Sequence, residues 1–449
     1  MGKETSVPFR LQWQMRYSWT PLRRRTRNAK WLRLVSAMVL LLRTFYLLAS
    51  IHRHRRTLFD KYGPTLYTRL SPVEEAKLAS RRWQWHWQWH GDESHPERGG
   101  YSRDKLMANR GEWEQLASGF EGEAFTYRNC AIKVYNTHNA PFRNCIPGAE
   151  LELRWPTEIS ASLVLGGLAE DHLAPGSDFL PVVDYFLAPP TDDGVAGWHF
   201  VTPYMPSGNL ESLGRRLRES ETRYAACDLD MLFRSSFNKL LNALRLMHDE
   251  YDLCHDDIKP DNIFLKSPGQ GLGPENTTQW LLADLGNVRQ LSHPYHSSLL
   301  WVHLSKSLPD CRANDVFRLL KTYLAFIRSA VHDVAAFDGD FLQGGQPWSR
   351  LFWATKRDID RGRPVAAAGV LARSTTRELP GEEPRSLQEY GGGQSDAGSP
   401  LTRAVLGREY AISRAVTDML RTRAGEDVAR RWGLVPLLGV PVPDCSPEK

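Results

Sequence analysis

Cys254-His255-Asp256-Asp257-Ile258-Lys259-Pro260-Asp261-Asn262-Ile263-Phe264-Leu265 gathers a His, several carboxylates, a Lys and an Asn into one short stretch. An apolar run at helical spacing leads into it: Leu229, Phe233, Phe237, Leu240, Leu244 and Met247 predict a long helix over 228–249. A short apolar run closes it at Ile263-Phe264-Leu265, and Leu281-Leu282-Ala283-Asp284-Leu285-Gly286 follows further on. Any one of these pieces is a weak signal; their order along the chain is the stronger one.

Upstream, Ala131-Ile132-Lys133-Val134-Tyr135 is an apolar strand with a single Lys at its centre. It is preceded by Leu116-Ala117-Ser118-Gly119-Phe120-Glu121-Gly122-Glu123-Ala124-Phe125. Glycines in such a turn let a backbone approach phosphates and take unusual dihedrals. Taken in this order, the stretches resemble the glycine-rich loop, strand lysine, catalytic loop and metal motif of the eukaryotic protein kinase family, Ser/Thr type. The resemblance implies an α+β, two-lobed fold with a small β-rich N-lobe and a helical C-lobe.

It also implies ATP and Mg²⁺ as cofactors, and phosphoryl transfer to Ser/Thr hydroxyls of a protein substrate. Asp257 would be the catalytic carboxylate and Lys259 would sit against the γ-phosphate; a Lys at that spacing is what Ser/Thr-directed members show. Lys133 and a helix carboxylate, Glu158, would place the nucleotide, with Glu150 and Glu152 as alternatives to Glu158. Asn262 and Asp284 would hold metal. Ala117, Gly119, Gly122 and Ala124 would line the phosphates, with Ala117 where the first Gly is expected. Thr202 would be the gatekeeper, and the backbones of Pro203 and Met205 would meet adenine. Asp315, in Ala313-Asn314-Asp315-Val316, matches the buried helix whose Asp bonds the catalytic-loop backbone.

There are departures. Asp256 replaces the Arg that normally precedes the catalytic Asp and pairs with a phosphate on the activation segment. Activity is therefore expected not to depend on phosphorylation of Ser292, Ser297 or Ser298. Leu285 replaces a Phe, and Leu308-Pro309-Asp310 is a poor match to Ala-Pro-Glu. Two alternatives stay open: a pseudokinase scaffold that binds nucleotide without turnover, and a small-molecule kinase of the aminoglycoside or choline type.

Charge is uneven. Residues 1–58 hold 13 Lys and Arg against one acid, leaving 44 bases against 51 acids in the rest. The body is mildly acidic, which argues against a nucleic-acid partner. Residues 31–51 are apolar over a membrane-spanning length but carry Arg33 and Arg43. A central Arg costs about 2.5–3.5 kcal/mol, nearly balancing the apolar residues. Spanning, lying on the surface, and serving as a transit segment are all compatible with that sum. Trp83-Gln84-Trp85-His86-Trp87-Gln88-Trp89 reads as a docking segment for the small lobe or a protein partner.

The six cysteines show no CxxC pair, so reduced cytosolic thiols are expected. The chain divides into a basic segment 1–65, a Trp-rich helical extension 66–112, an N-lobe 113–206 and a C-lobe 207–365. A disordered linker or insertion 366–402 and a C-terminal helix and tail 403–449 complete it. The expected location is a cytoplasmic kinase domain, membrane-associated through its N-terminus.

Overall fold

The computed structural model describes residues 22–63, 103–119, 121–136, 144–145, 154–167, 178–188, 197–266, 279–301, 308–375, 407–422 and 426–441. The chain is mixed α and β, with a small antiparallel sheet and many helices. It forms two compact units, Met1–Arg53 and His54–Lys449.

Helix α1 (Leu22–Lys61) occupies most of the first unit. From Lys30 it is long and apolar enough to cross a membrane. Trp31, Leu41, Phe45 and Tyr46 on it are exposed. Its last turns belong to the second unit: Leu58 is fully buried, packing with Tyr62, Tyr295 and Trp301. The boundary thus falls before residue 54 rather than at 65, because Leu58 and Tyr62 are core residues.

Strands β1 (Glu114–Ser118), β2 (Gly122–Tyr127), β3 (Cys130–Tyr135), β4 (Asp184–Ala188) and β5 (Gly197–Pro203) form one sheet in the order β1-β2-β3-β5-β4. Lys133 pairs with Ala124 on one side and Phe200 on the other, so it sits mid-sheet. The apolar run that opens at Phe179 becomes strand only at Asp184. Phe179 instead bridges to Leu282, and Pro181 lacks the N–H a ladder would use. Helix α2 (Arg103–Ala108) sets Leu106 against Tyr127, Ile132 and Val201. Helix α3 (Thr157–Leu165) follows Pro156 and is buried along nearly its whole length.

The remainder is helical: α4 (Leu210–Glu219), α5 (Ala226–Asp249), α6 (Cys311–Ala330), α7 (Val334–Gln343), α8 (Pro347–Asp360), α9 (Ala367–Thr375), α10 (Arg408–Leu420), α11 (Glu426–Trp432) and α12 (Val435–Leu438). The α5 run predicted from its apolar spacing lies against α6, where Phe237 stacks on Tyr323 at 4.4 Å between ring centroids. Four short strands carry the loops of interest. β6 (Leu253–Cys254) pairs with β9 (Arg289–Gln290), and β7 (Ile263–Lys266) pairs with β8 (Gln279–Leu282).

Three expectations are corrected. Residues 367–375, placed in a disordered linker, are helical; Ala367 and Val370, three apart, are buried on one side of α9. Cys254 and Cys311, expected as reduced thiols, are joined by a disulfide 57 residues apart in sequence. Where one C-terminal helix is expected within 403–449, the described residues hold three, α10, α11 and α12. The Trp-rich segment, Glu150, Glu152 and residues 376–402 lie outside the described residues.

Candidate active site

Lys133 and Tyr135 are two residues apart on β3 and so share a face of the sheet. Both reach one carboxylate in the first turn of α3: Lys133 Nζ and the Tyr135 hydroxyl each lie 2.5 Å from Glu158 Oε2. Lys133 Nζ is also 3.6 Å from Asp284 Oδ1 and 3.6 Å from Glu121 Oε2. Burial pulls the Lys133 amine down, but Glu158, Tyr135, Asp284 and Glu121 outweigh it and hold the pKa well above the usual lysine value. Burial raises the Glu158 carboxyl, with Lys133 opposing it.

Asp284 lies just after β8 in the left-handed region, φ 56° and ψ 57°. Non-glycine residues take this backbone at a cost and cluster there at functional sites. Burial raises its carboxyl, but Lys133 and Lys259 outweigh that and lower it below the usual aspartate value. A Cβ at Gly286 would meet Asp284 Oδ1 and Glu121 Oε2 at 3.6 Å, an ordinary van der Waals contact, so packing alone does not require glycine there.

The catalytic-loop stretch is pinned from below by Asp315 on α6. The fully buried Asp315 carboxylate accepts the backbone N–H of His255 at 2.6 Å and of Asp256 at 2.9 Å. His248 Nε2 lies 3.1 Å from the same carboxylate, and His255 Nε2 is 3.2 Å from the carbonyl of Ala283. Lys259 Nζ pairs with Asp257 Oδ2 at 3.2 Å and Asp261 Oδ2 at 3.6 Å. Asn262 Nδ2 donates to the Asp257 carbonyl at 3.0 Å. Among the described residues the Asn262 side-chain oxygen has no hydrogen bond. A carboxylate and an amide oxygen are hard ligands of the kind Mg²⁺ takes, so Asp284 and Asn262 are the pair that could hold a divalent cation.

The glycine turn closes through the Gly119 N–H and the Gly122 carbonyl at 2.9 Å, with Ala117 in β1 paired to Ala124 in β2. Gly122 has φ 155°, and a Cβ would come within 2.0 Å of the Val134 carbonyl oxygen. Its glycine is therefore required by the approach of β3, apart from any ligand. Thr202 is buried on β5, and Pro203 ends that strand. The Met205 carbonyl accepts Gly208 N–H at 2.9 Å, and among the described residues the Met205 N–H donates to nothing. That backbone edge is a place where a flat heterocycle could bond.

Lys133, Glu158 and Asp284 meet directly. Asp257, Lys259 and Asn262 form a second group on the loop, and Thr202, Pro203 and Met205 a third at the end of the sheet. Sequence reasoning missed Glu121, Tyr135 and Arg318. Tyr135 had a signal in its spacing from Lys133. Arg318, three residues beyond Asp315 on α6, donates to the Asp256 carbonyl and lies 3.6 Å from Asp257 Oδ1. His248, Cys254 and Asp315 lie within 4.8 Å of one another, but the disulfide and the loop N–H groups already use the atoms a metal would need. No family model and no curated protein sequence matches the chain.

Proposed function

We propose that the chain is a divergent protein kinase-like enzyme, two-lobed, that transfers the γ-phosphoryl of ATP to Ser/Thr hydroxyls of a protein substrate. One observation carries the reading. Lys133, Glu158 and Asp284, far apart in sequence, converge at 2.5 and 3.6 Å, in the order the resemblance requires. The α+β layout agrees, with a five-stranded antiparallel sheet preceding the helical part.

In this reading Lys133, kept charged and oriented by Glu158, binds the α- and β-phosphates. Asp284 and Asn262 hold Mg²⁺, and the Met205 N–H and Pro203 carbonyl meet adenine. Bound Mg·ATP supplies the phosphoryl group and the positive charge that neutralises the transition state. Asp257 orients the acceptor hydroxyl and takes its proton. Lys259 holds the Asp257 carboxylate at 3.2 Å and steadies negative charge on the transferring group. Asp315 fixes the loop backbone so that this geometry is set before the acceptor arrives.

Helix α1 anchors the protein to a membrane, with the catalytic body on the cytoplasmic side where ATP is found. There the Cys254–Cys311 bond faces a reducing pool, so its state in cells reports the compartment.

One observation favours the pseudokinase alternative: Glu121 sets a carboxylate 3.6 Å from Lys133 Nζ, where polyphosphate would lie. The test is transfer of labelled phosphate from ATP to a protein mixture and, separately, to aminoglycosides and choline. Label on protein supports the proposal. Label on the small molecules alone moves the chain to that branch, and ATP binding with no transfer makes it a scaffold.

A further inference from the structure

Asp256 stands where the resemblance expects an arginine, and its carboxylate is buried, with 2% of the side chain exposed. Oδ2 lies 3.3 Å from Arg289 Nη1 and 2.8 Å from His296 Nε2. Both side chains come from the segment that follows Asp284-Leu285-Gly286. The Arg289 side chain is 1% exposed. Its Nη1 reaches the Asn287 carbonyl at 2.5 Å, and its guanidinium lies 4.5 Å from the Tyr295 ring centroid.

The same segment is fastened on its other side to the end of α1. Arg289 Nη2 donates to the Lys61 carbonyl at 3.1 Å, and His293 Nε2 lies 3.3 Å from the Gly63 carbonyl. Leu58 and Tyr62 pack beneath it with Cys254, Tyr295 and Trp301. The clasp therefore has three sides: the catalytic loop, the segment 289–301 and residues 58–63. The two exposed serines of the segment, Ser292 and Ser297, make none of these contacts.

The backbone at Asp256 is left-handed, φ 62°, which an aspartate holds only when its surroundings fix it. Arg318 donates to the Asp256 carbonyl and lies 3.6 Å from Asp257 Oδ1, so the placement of Asp256 passes directly to its neighbour.

We propose that Asp256 is a positioning residue: its pairing with Arg289 and His296 holds the segment 289–301 and Asp257 in the transfer-ready arrangement, with the end of α1 as a permanent brace. The charge pattern is the reverse of a loop arginine that waits for a phosphate, so the segment is ordered by the sequence itself. The positioning role rests on the phosphotransfer reading; the clasp does not.

The experiment uses the full-length chain and compares wild type, Asp256→Asn, His296→Gln and Ser292→Ala/Ser297→Ala. Amide hydrogen exchange across 287–298 is read beside kcat, KM for ATP and Mg·ATP affinity. Asp256→Asn is expected to speed exchange there at least about tenfold. It is expected to lower kcat about a hundredfold while KM for ATP stays within about threefold. His296→Gln shows smaller changes of the same kind, and the double Ser variant shows none.

Unchanged exchange in Asp256→Asn overturns the clasp, and unchanged kcat overturns the positioning role. A large loss of kcat in the double Ser variant overturns the phosphate-free ordering. Where Asp256→Asn does not fold, unchanged exchange in His296→Gln overturns the clasp. A wild type that transfers no phosphate overturns the phosphotransfer reading and the positioning role with it, while exchange still decides the clasp.

Discussion

Two ion pairs flank the candidate site, and they differ in what their charges can reach. Lys133 pairs with Glu158 at 2.5 Å, yet 25% of its side chain is exposed and two further carboxylates lie within 3.6 Å. Asp256 pairs with Arg289 and His296 while 2% and 1% of the Asp and Arg side chains are exposed. The first pair can still meet a ligand. The second can only hold protein to protein. Similar chemistry can thus serve binding where solvent enters and architecture where it does not, and burial tells the two apart better than residue type.

The sharpest way to break that comparison is to remove one charge from the closed pair. Asp256→Asn strands Arg289 in the interior, and the unfolding free energy is expected to fall by about 3–5 kcal/mol in a urea titration. A loss below about 1 kcal/mol would mean the pair is more solvated than its burial indicates.

Next comes the covalent tie beneath the loop. Cys254 immediately precedes the loop and Cys311 opens the helix that carries Asp315. Reduction, or Cys311→Ser, is expected to cost about 2–4 kcal/mol of stability. An identical denaturation curve with and without reductant would show that the bond does not form in solution.

The open pair behaves differently. Lys133→Met leaves Glu158 buried, but burial already raises its carboxyl, so it can take a proton. Stability is expected to drop by less than about 1.5 kcal/mol, whereas Mg·ATP affinity falls about a hundredfold, by calorimetry. Equal losses in both would remove the distinction between the two pairs.

The smallest effect is one of pH, and two histidines carry opposite signs. Burial lowers His296, but the Asp256 hydrogen bond and charge outweigh it and raise it above the usual 6.5. Its stabilisation is complete below that usual value and fades as pH rises through the raised one. His199 on β5 is driven to about 4 by burial, with Arg110 and Arg103 adding to it. Its neutral ring contributes above 6.5 and that contribution is lost as pH falls toward 4. His296→Gln should therefore cost about 1–2 kcal/mol near pH 6 and less near pH 8. A cost that grows with pH contradicts the assignment.

The open pair was legible in the sequence and the closed one was not. Lys133 stands alone in an apolar strand and Glu158 opens a helix with an apolar side, while the pairing of the two came from the resemblance to protein kinases, with Glu150 and Glu152 as alternatives. Asp257, Lys259, Asn262 and Asp284 were legible for the same reason: each sits in a short stretch of fixed order. Asp256 was visible only as a departure. Its partners depend on how β9 folds back to β6, and no local period encodes that.

The Cys254–Cys311 bond and the seat of Leu58 are likewise long-range consequences of the fold. In 367–375 Gly369 and Ser374 give the stretch a linker-like composition, while the spacing of Ala367 and Val370 carries a real apolar face.

The central claim is phosphoryl transfer at Asp257, and one assay addresses it: labelled phosphate moved from Mg·ATP to a protein mixture by wild type and by Asp257→Ala, with ATP affinity measured on both. The account predicts transfer by wild type, a loss of at least about a thousandfold in Asp257→Ala, and unchanged ATP affinity. Equal transfer by the two proteins, or none by a wild type that binds ATP, would contradict it.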